Sequence, residues 1–315
     1  MKIVKTFAAF IIALAACIAC EDNKYQSFSG YAQGGTYKVT ADLSSSKLTK
    51  KEIANGIDSL LTLVDSTFSG YNKSSQLTRF NRGELVSRSA EFDKLVEISK
   101  KYKELSGGAF NVEAAPVFDV WGFGFTADSL PSDEMIKNAL ELSAKGEKLN
   151  FNAIAQGYTC DLIADYLHGA GIENMLVYIG EIYCAGVNPE GKNWSIGIDT
   201  PEDGNNSPGS LLSGIWKSDG RRHGVVTSGN YRKFYIHNGQ KYAHTIDPRS
   251  GLPVQHNLLS ATVIAPTATE ADALATYFMV IGAKEALEWV EKHEGIEACL
   301  ICSDSTICSS GFKLE

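Results

Sequence analysis

Several short motifs that mark particular enzyme classes are missing from this sequence. None of the patterns G-x-S-x-G, G-x-x-x-x-G-K-[ST], G-x-G-x-x-G and H-E-x-x-H occurs in its 315 residues, and neither heptads nor internal repeats are present. Basic residues are also fewer than acidic ones: the chain has 29 Lys and Arg residues and 37 Asp and Glu residues, which gives a net charge of -8. Nucleic acid and anionic lipid attract basic surfaces, so neither is expected as the main partner.

The longest apolar run lies at the N-terminus. Two early lysines and an apolar stretch in residues 1–16 are typical of a secretory signal, and the stretch is too short for a transmembrane helix. The sequence LAAC that ends at Cys17 resembles a bacterial lipobox. We therefore predict a lipoprotein signal peptide at 1–16, lipidation at Cys17 (with Cys20 as the alternative) and a tether at 17–29. The protein would then be exported, anchored to a bacterial membrane and facing the periplasm. Simple secretion is the other interpretation.

Five cysteines follow the predicted signal and tether, which is an odd number. An odd count excludes complete pairing into disulfides. The C-x-x-C spacing of two of them would suit a metal or redox site, but the surrounding sequence alternates like a strand and has no matching second pair. We predict buried, inert thiols. The five are Cys160, Cys184, Cys299, Cys302 and Cys308.

Helical and strand patterns are interspersed along the chain without regular β-α-β alternation. This order predicts one α+β domain over residues 30–315, with mixed or antiparallel sheets flanked by helices. The aromatic, turn-rich stretch 110–125 is predicted as a folded-in loop. Helices are predicted at 47–68, 92–105, 132–143 and 156–167, with two more starting near 270 and 284. Strands are predicted at 36–41, 175–179, 194–198, 224–227, 232–237, 241–246 and 258–264, with a last pair near the C-terminus.

The segment PTATEADALATYFMV (266–280) carries the sharpest chemical signal. Thr267 and Glu270 have capping-box spacing, and the helix that follows is apolar on nearly every side, which predicts that it is buried. Asp272 and Thr276 are four residues apart and so lie on one helix face. A carboxylate and a hydroxyl are hard oxygen ligands suited to Mg²⁺. The ordinary alternative is that Asp272 accepts backbone N–H groups while Thr276 packs.

Two further segments are weaker candidates for anion binding. The strand that ends in Thr227, Ser228 and Gly229 offers hydroxyls and free backbone N–H groups, which often hold a phosphate. A polar turn at 150–154 runs into the helix at 156–167, whose N-terminus would suit an anion. Both patterns are also common in proteins without such a site.

The stretch KYAHTIDPRSGLPV (241–254) places a histidine at the end of a strand, just before a tight turn. Asp247 and Pro248, with Gly251 behind them, are typical turn residues. His244 is therefore a candidate catalytic base at a rigid corner, although a lone strand histidine is more often structural. Asp247 is interpreted as the side-chain cap of the turn. Arg249 either adds positive charge to the site or braces the corner.

Taken in order, these segments resemble the ApbE-like family of bacterial FAD:protein FMN transferases. The resemblance extends from about residue 30 to about residue 290 and rests on several ordered motifs. They are FSGYNKSSQLTRFN, GGAFNVEAAPVFDVWGFG, NAIAQGYTCD, TSGNYRKFY, HTIDPRSGLPV and ADALATYF.

The resemblance implies a specific activity. Family members bind FAD and Mg²⁺, transfer FMN to a threonine hydroxyl of an acceptor flavoprotein, and release AMP. The acceptors expected here are flavoprotein subunits of membrane redox complexes. If each residue has the role of the family residue at the same motif position, Asp272 and Thr276 bind the metal through their side chains and Ala155 binds it through its carbonyl. His244 is the base, and the FAD contacts are Tyr71, Thr227, Ser228 and Gly229. Arg249 is added as a candidate FAD contact because of its positive charge.

The chain also departs from the family pattern in several places. Gln156 replaces a lysine, and Gln33 stands in place of a methionine. Other departures are at Asn111, Glu113, Asn150, Asn152 and Ala153, and at Ile179-Gly180-Glu181. Two rival functions stay open: an FAD pyrophosphatase, which would use the same metal and base with water as acceptor, and a non-catalytic flavin-binding lipoprotein, which these departures support.

Overall fold

The computed structural model describes residues 24–84, 87–122, 130–202, 205, 209–230 and 245–315, together with the backbone of 234–237 and 240–243. Its helices are α1 (Lys50–Phe68), α2 (Gln76–Asn81), α3 (Ala90–Leu105), α4 (Ala115–Val120), α5 (Asp133–Ser143), α6 (Ala155–Gly169), α7 (Ala268–Ile281) and α8 (Ala283–Val290). Its longer strands are β1 (Tyr25–Ala32), β2 (Gly35–Asp42), β3 (Met175–Ile179), β4 (Glu181–Ala185), β5 (Ser195–Asp199), β6 (Leu212–Lys217) and β7 (His223–Gly229). The remaining strands are β8 (Phe234–His237), β9 (Gln240–Ala243), β10 (Ile246–Asp247), β11 (Leu252–Pro253), β12 (Leu258–Ala265), β13 (Glu297–Cys302) and β14 (Thr306–Cys308).

An eight-stranded sheet organises this part of the chain. Its order is β1-β2-β3-β4-β7-β12-β13-β14, and every neighbouring pair is antiparallel. The strand pairs β5–β6, β8–β9 and β10–β11 form three small separate sheets. Helices and antiparallel strands thus share one domain, and the predicted α+β class is confirmed.

The two faces of the sheet are covered differently. Helices α1 and α6 pack on the β2–β4 side of one face, and α7 and α8 pack beside them on β7, β12 and β13. The small sheet β5–β6 covers the other face, where Trp194 and Trp216 are buried. Because α6 and α7 lie side by side on the same face, residues far apart in sequence meet between them.

Local sequence explains where the main helices begin. Thr49 and Glu52 form a reciprocal capping box at the start of α1. Thr267 accepts a hydrogen bond of 3.1 Å from the backbone N–H of Glu270, which starts α7 one turn before Asp272. As predicted, α7 is buried on nearly all sides.

Some expectations about the chain path were wrong. Residues 25–29, predicted as part of the tether, belong to β1, where Tyr25 and Phe28 are buried and the strand pairs with β2 along its whole length. The predicted loop at 110–125 contains a 3-10 turn (Val112–Ala114) and α4. Strands β4 and β6 were not predicted. Strands of five and six residues such as these carry little periodic signal of their own.

Other expectations hold or lie outside the described residues. Four of the five cysteines are buried as predicted, and Cys308 is half-buried. The segment 1–16, predicted as a signal peptide, lies outside the residues that the structure describes, as do Cys17, Cys20 and His244. None of the helices in the described ranges combines the length and the apolar character that a membrane crossing requires.

Candidate functional site

The close contact between α6 and α7 places a carboxylate against a helix N-terminus. The backbone N–H of Gly157, in the first turn of α6, donates a hydrogen bond of 3.0 Å to Oδ2 of Asp272. The helices approach so closely that a Cβ atom at residue 157 would lie 2.3 Å from the carbonyl oxygen of Ala268 and 2.8 Å from Cβ of Asp272. Only glycine fits at this position. The contact joins two of the segments that the sequence analysis singled out.

Asp272 is buried with little compensation for its charge. The side chain is 4 % exposed. Burial raises the pKa of Asp272 to about 7, the N–H of Gly157 opposes the shift, and the negative charge of Asp161 adds to it. No cationic side chain forms an ion pair with Asp272 in the described part of the protein. A buried carboxylate in this state favours binding of a cation.

Asp161 is a residue of this site that the sequence analysis missed. Its carboxylate accepts hydrogen bonds of 2.8 Å from the backbone N–H groups of Ala268 and Thr269, and a third from the Thr269 hydroxyl. It therefore caps α7 from the neighbouring helix and fixes the helix that carries Asp272. The available signal was the four-residue spacing of Gly157 and Asp161, which puts both on the face of α6 that meets α7.

The donor atoms around Asp272 fit a hard divalent cation. Thr276 follows one turn later on α7 and is only partly buried. The carbonyl of Ala155, the first residue of α6, lies beside Asp272 at the helix start and accepts a bond of 2.6 Å from the Thr159 hydroxyl. One carboxylate, one hydroxyl and one carbonyl match Mg²⁺, which usually completes its shell with water and substrate phosphate oxygens. The described residues contain no cluster of three or more His, Cys, Asp or Glu that would suit a softer metal.

Two residues that differ from the family pattern, Gln33 and Gln156, lie next to this region. Gln33 sits at the β1–β2 turn with φ 51° and donates a bond of 2.7 Å to the Thr159 hydroxyl, which in turn bonds the Ala155 carbonyl. Gln156 lies against Gly180, where a Cβ atom would be 2.5 Å from Nε2 of Gln156 and φ is +81°. Gln33 is thus linked to the Ala155 carbonyl through Thr159, and the Gln156 side chain occupies the space beside Gly180.

The end of β7 presents its predicted site residues to both faces of the sheet. Thr227 pairs across the sheet with Thr262, and their hydroxyl oxygens are 2.8 Å apart. Side chains alternate along a strand, so Ser228 faces the same side as Val226, which packs with α7. Of the two hydroxyls, that of Ser228 therefore lies on the Asp272 side, and Thr227 contributes there through its backbone alone.

The corner after β9 is a small braced hairpin. The Asp247 carboxylate accepts a bond of 2.9 Å from the backbone N–H of Arg249, as its predicted capping role requires, and three more from the guanidinium. Partial burial acts to raise the pKa of Asp247, but the hydrogen bonds and charge of Arg249 outweigh it and hold the pKa below its usual value. The Trp121 indole also donates to the Gly251 carbonyl, at 2.8 Å. Hydrogen bonds from Arg249 and Trp121 therefore brace the corner.

Contacts connect this corner to the other two parts of the site. The Thr245 hydroxyl bonds the side chain of Asn230, the residue after β7. The Arg249 guanidinium lies close enough to Tyr277 of α7 for each to affect the pKa of the other. Tyr71, expected to contact FAD, is 74 % exposed. The structure thus links α6, α7, the β7 end and the corner, while His244 itself lies outside the described residues.

The fold and the buried carboxylate identify the class of protein by comparison with known structures. The flavin transferase ApbE from Vibrio cholerae matches with a TM-score of 0.78 and 30% identity, covering 91% of this chain and 97% of that one. The apo form of the Pseudomonas stutzeri flavinyl transferase ApbE matches with a TM-score of 0.79 and 31% identity, covering 91% and 95%. The architecture is therefore that of the ApbE flavin transferases.

Sequence comparison gives the family. The ApbE family model matches residues 34–300. The protein named FAD:protein FMN transferase in Haemophilus influenzae is 32% identical over 342 aligned positions, which cover 99% of this chain and 97% of that protein. The chain belongs to the ApbE family.

Proposed function

We propose that the protein is an FAD:protein FMN transferase. It would move FMN from FAD to a threonine hydroxyl of an acceptor flavoprotein, release AMP, and require Mg²⁺. The observation that carries this proposal is the buried Asp272, held at the N-terminus of α6 in a chain that matches named FMN transferases over almost its whole length. The donor set around it supports the metal assignment.

Different residues of the chain would carry out different parts of the reaction. Asp272, Thr276 and the Ala155 carbonyl would hold Mg²⁺, which neutralises charge that develops on phosphoryl oxygens when a pyrophosphate is attacked. The Ser228 hydroxyl and the backbone N–H groups at the end of β7 would bind the phosphates. The threonine oxygen of the acceptor forms a bond to the FMN phosphorus while the P–O bond to AMP breaks.

His244 would accept the proton of the threonine hydroxyl. A hydroxyl is a poor nucleophile near neutral pH, and a positioned base contributes about 10²–10⁴-fold. The neighbouring Thr245 is held against Asn230, at the end of β7 where the phosphates would bind. Arg249 is paired with Asp247, so its main contribution would be to keep this corner in place.

A single assay separates this function from its rivals. The purified protein is incubated with FAD, Mg²⁺ and a threonine-containing acceptor peptide, and the products are resolved by mass spectrometry. Transferase activity yields a peptide carrying FMN together with AMP. Free FMN and AMP without modified peptide would identify a pyrophosphatase, and unchanged FAD would identify a flavin-binding protein.

Two variants make the assay specific to the site. Asp272→Asn keeps the shape of the side chain and removes its charge, and we expect it to abolish Mg²⁺-dependent turnover of FAD. Asp165→Asn removes a carboxylate from an exposed position on α6 and serves as the matched control. Equal activity of the two variants would contradict the metal assignment.

The location of the protein is a separate proposal. Export and lipidation at Cys17 would hold the domain at a membrane surface, close to flavoprotein subunits of membrane redox complexes that would act as acceptors. Metabolic labelling with palmitate in a bacterial host tests this: Cys17→Ala should remove the label and release the protein from the membrane fraction. Loss of the label in Cys20→Ala alone would move the site to Cys20.

A further inference from the structure

Two cysteines at the C-terminal edge of the main sheet face each other directly. Cys299 of β13 and Cys308 of β14 are register partners in an antiparallel pair, and their sulfur atoms are 2.7 Å apart. The other three cysteines have different surroundings. Cys160 contacts the Glu181 carbonyl, Cys184 is buried among aromatic side chains, and Cys302 contacts Ser305. Among these five cysteines, Cys299 and Cys308 are therefore the two whose thiols contact each other.

The position of this pair in the ladder suits a covalent link. The backbone N–H of Cys302 bonds the Ser305 carbonyl and that of Ser309 bonds the Ala298 carbonyl, so these residues occupy hydrogen-bonded positions. Hydrogen-bonded and non-hydrogen-bonded pairs alternate along an antiparallel ladder, which makes Cys299 and Cys308 a non-hydrogen-bonded pair. Cα atoms in such a pair are about 4.5 Å apart, inside the range of about 4.4–6.8 Å that disulfides occupy.

The two thiols differ in accessibility. Cys299 is fully buried in the cluster that contains Ile301 and Phe312, whereas Cys308 is half-buried on the edge strand. The hydrogen bond with Cys299 lowers the pKa of Cys308, against the opposing effect of partial burial. An incoming reagent therefore reaches Cys308 first, and the thiolate needed for exchange forms more readily there.

We propose that Cys299 and Cys308 form an oxidation site that reacts with small-molecule or protein disulfides to give an intramolecular disulfide. The Cys308 thiolate attacks a disulfide RSSR, which forms a mixed disulfide and releases one RS⁻. Cys299, after losing its proton, attacks the Cys308 sulfur, which forms the Cys299–Cys308 bond and releases the second RS⁻. The overall reaction converts two protein thiols and RSSR into one protein disulfide and two RSH.

The link would fasten the C-terminal segment of the chain. After β14 the segment turns back across the sheet, and Glu315 exchanges two backbone hydrogen bonds with Ile215 of β6. Leu314 also forms a bridge with Trp216. A disulfide at Cys308 would hold the start of this segment on β13, so that it could not fray from the edge of the sheet.

Proteolysis combined with oxidation tests the proposal. The reduced full-length protein is incubated with oxidised glutathione, free thiols are alkylated in denaturant, and the chain is digested. Trypsin leaves all three C-terminal cysteines in the fragment 293–313, and a protease that cleaves before aspartate divides this fragment at Asp304. We expect 293–303 and 304–313 to stay joined until a reductant is added, with a loss of about two mass units for the two hydrogens removed.

The Cys302→Ser variant decides which cysteine of the first fragment is linked. It keeps Cys299 and Cys308, and we expect its two fragments to remain joined as in the wild type. Separation of the fragments in this variant would overturn the proposal in favour of a Cys302–Cys308 link. Separated wild-type fragments, with Cys308 carrying glutathione or the alkyl group, would show that the pair does not close and would overturn it outright.

Discussion

Two aspartates in this protein have opposite environments, although both belong to the same site. Asp247, in the corner, is paired with the Arg249 guanidinium and has a lowered pKa. Asp272, between α6 and α7, is more deeply buried, accepts one backbone N–H and has its pKa raised to about 7. The first is a carboxylate whose charge the protein itself has compensated, as a structural brace requires. The second has no cationic partner in the described part of the chain, as the proposed role of metal ligand would require.

Removing the uncompensated charge should have the largest effect. We expect Asp272→Asn to lower FMN transfer by at least ~10³-fold, since losing a metal costs several kcal/mol of transition-state stabilisation and each 1.36 kcal/mol is tenfold. The same change should leave the metal-free protein at least as stable as the wild type, because an unpaired buried charge has been removed. Thermal unfolding without Mg²⁺ measures this. A strongly destabilised variant would contradict the description of Asp272 as uncompensated.

The contact that holds Asp272 should be the next most sensitive feature. Gly157→Ala places a Cβ atom 2.3 Å from the Ala268 carbonyl oxygen and must push α6 and α7 apart. We expect a loss of about 1–3 kcal/mol in the free energy of unfolding, together with weaker Mg²⁺ dependence of activity.

Gly169→Ala is the matched control, because it lies on the same helix with nothing within 4 Å of the added Cβ. It should change stability by no more than about 1 kcal/mol, and in the favourable direction. Similar denaturation curves for the two alanine variants would show that the helix contact is not tight.

The two aspartates should also have opposite effects on the pH dependence of stability. The folded-state pKa of Asp272, about 7, exceeds its ordinary value, so the native state binds more protons between these values and stability falls as pH rises from about 4 to about 7. The lowered pKa of Asp247 gives a contribution that is present above its ordinary pKa and is lost as pH falls. Urea unfolding in EDTA at several pH values should show a smaller decline towards neutral pH in Asp272→Asn than in the wild type. Parallel curves would contradict the raised pKa.

Removing the compensated charge should have the smallest effect. Asp247→Asn keeps a turn cap but weakens the pairing with Arg249, whose side chain is 47% exposed. Exposed pairs contribute about 0–1 kcal/mol, so we expect a small loss of stability and only a few-fold loss of transfer. Asp219→Asn weakens the pairing with Arg221 and His223 at a distant turn, and should leave transfer unchanged. A loss of transfer as large as that of Asp272→Asn would show that Asp247 is more than a brace.

The sequence predicted the local part of this site well because local interactions encode it. The cap at Thr267, the burial of α7 and the Asp247 turn depend on residues a few positions apart, and all three are present as predicted. The edge strand β1 was missed because its burial depends on β2 and on packing further along the chain. The turn in KYAHTIDPRSGLPV was likewise predicted from its local sequence, whereas the role of His244 stays a prediction.

By itself, the sequence determined the α+β class, most helices and longer strands, and the motifs that relate the chain to its family. Tertiary structure decided the rest. It brought Gly157 to Asp272 across 115 residues, made Asp161 the cap of a helix that is not its own, and placed Ser228 rather than Thr227 on the face of the sheet that α7 covers. The physical reason is that periodicity and capping act within a few residues, whereas the charge state of a buried carboxylate depends on which distant groups packing places beside it.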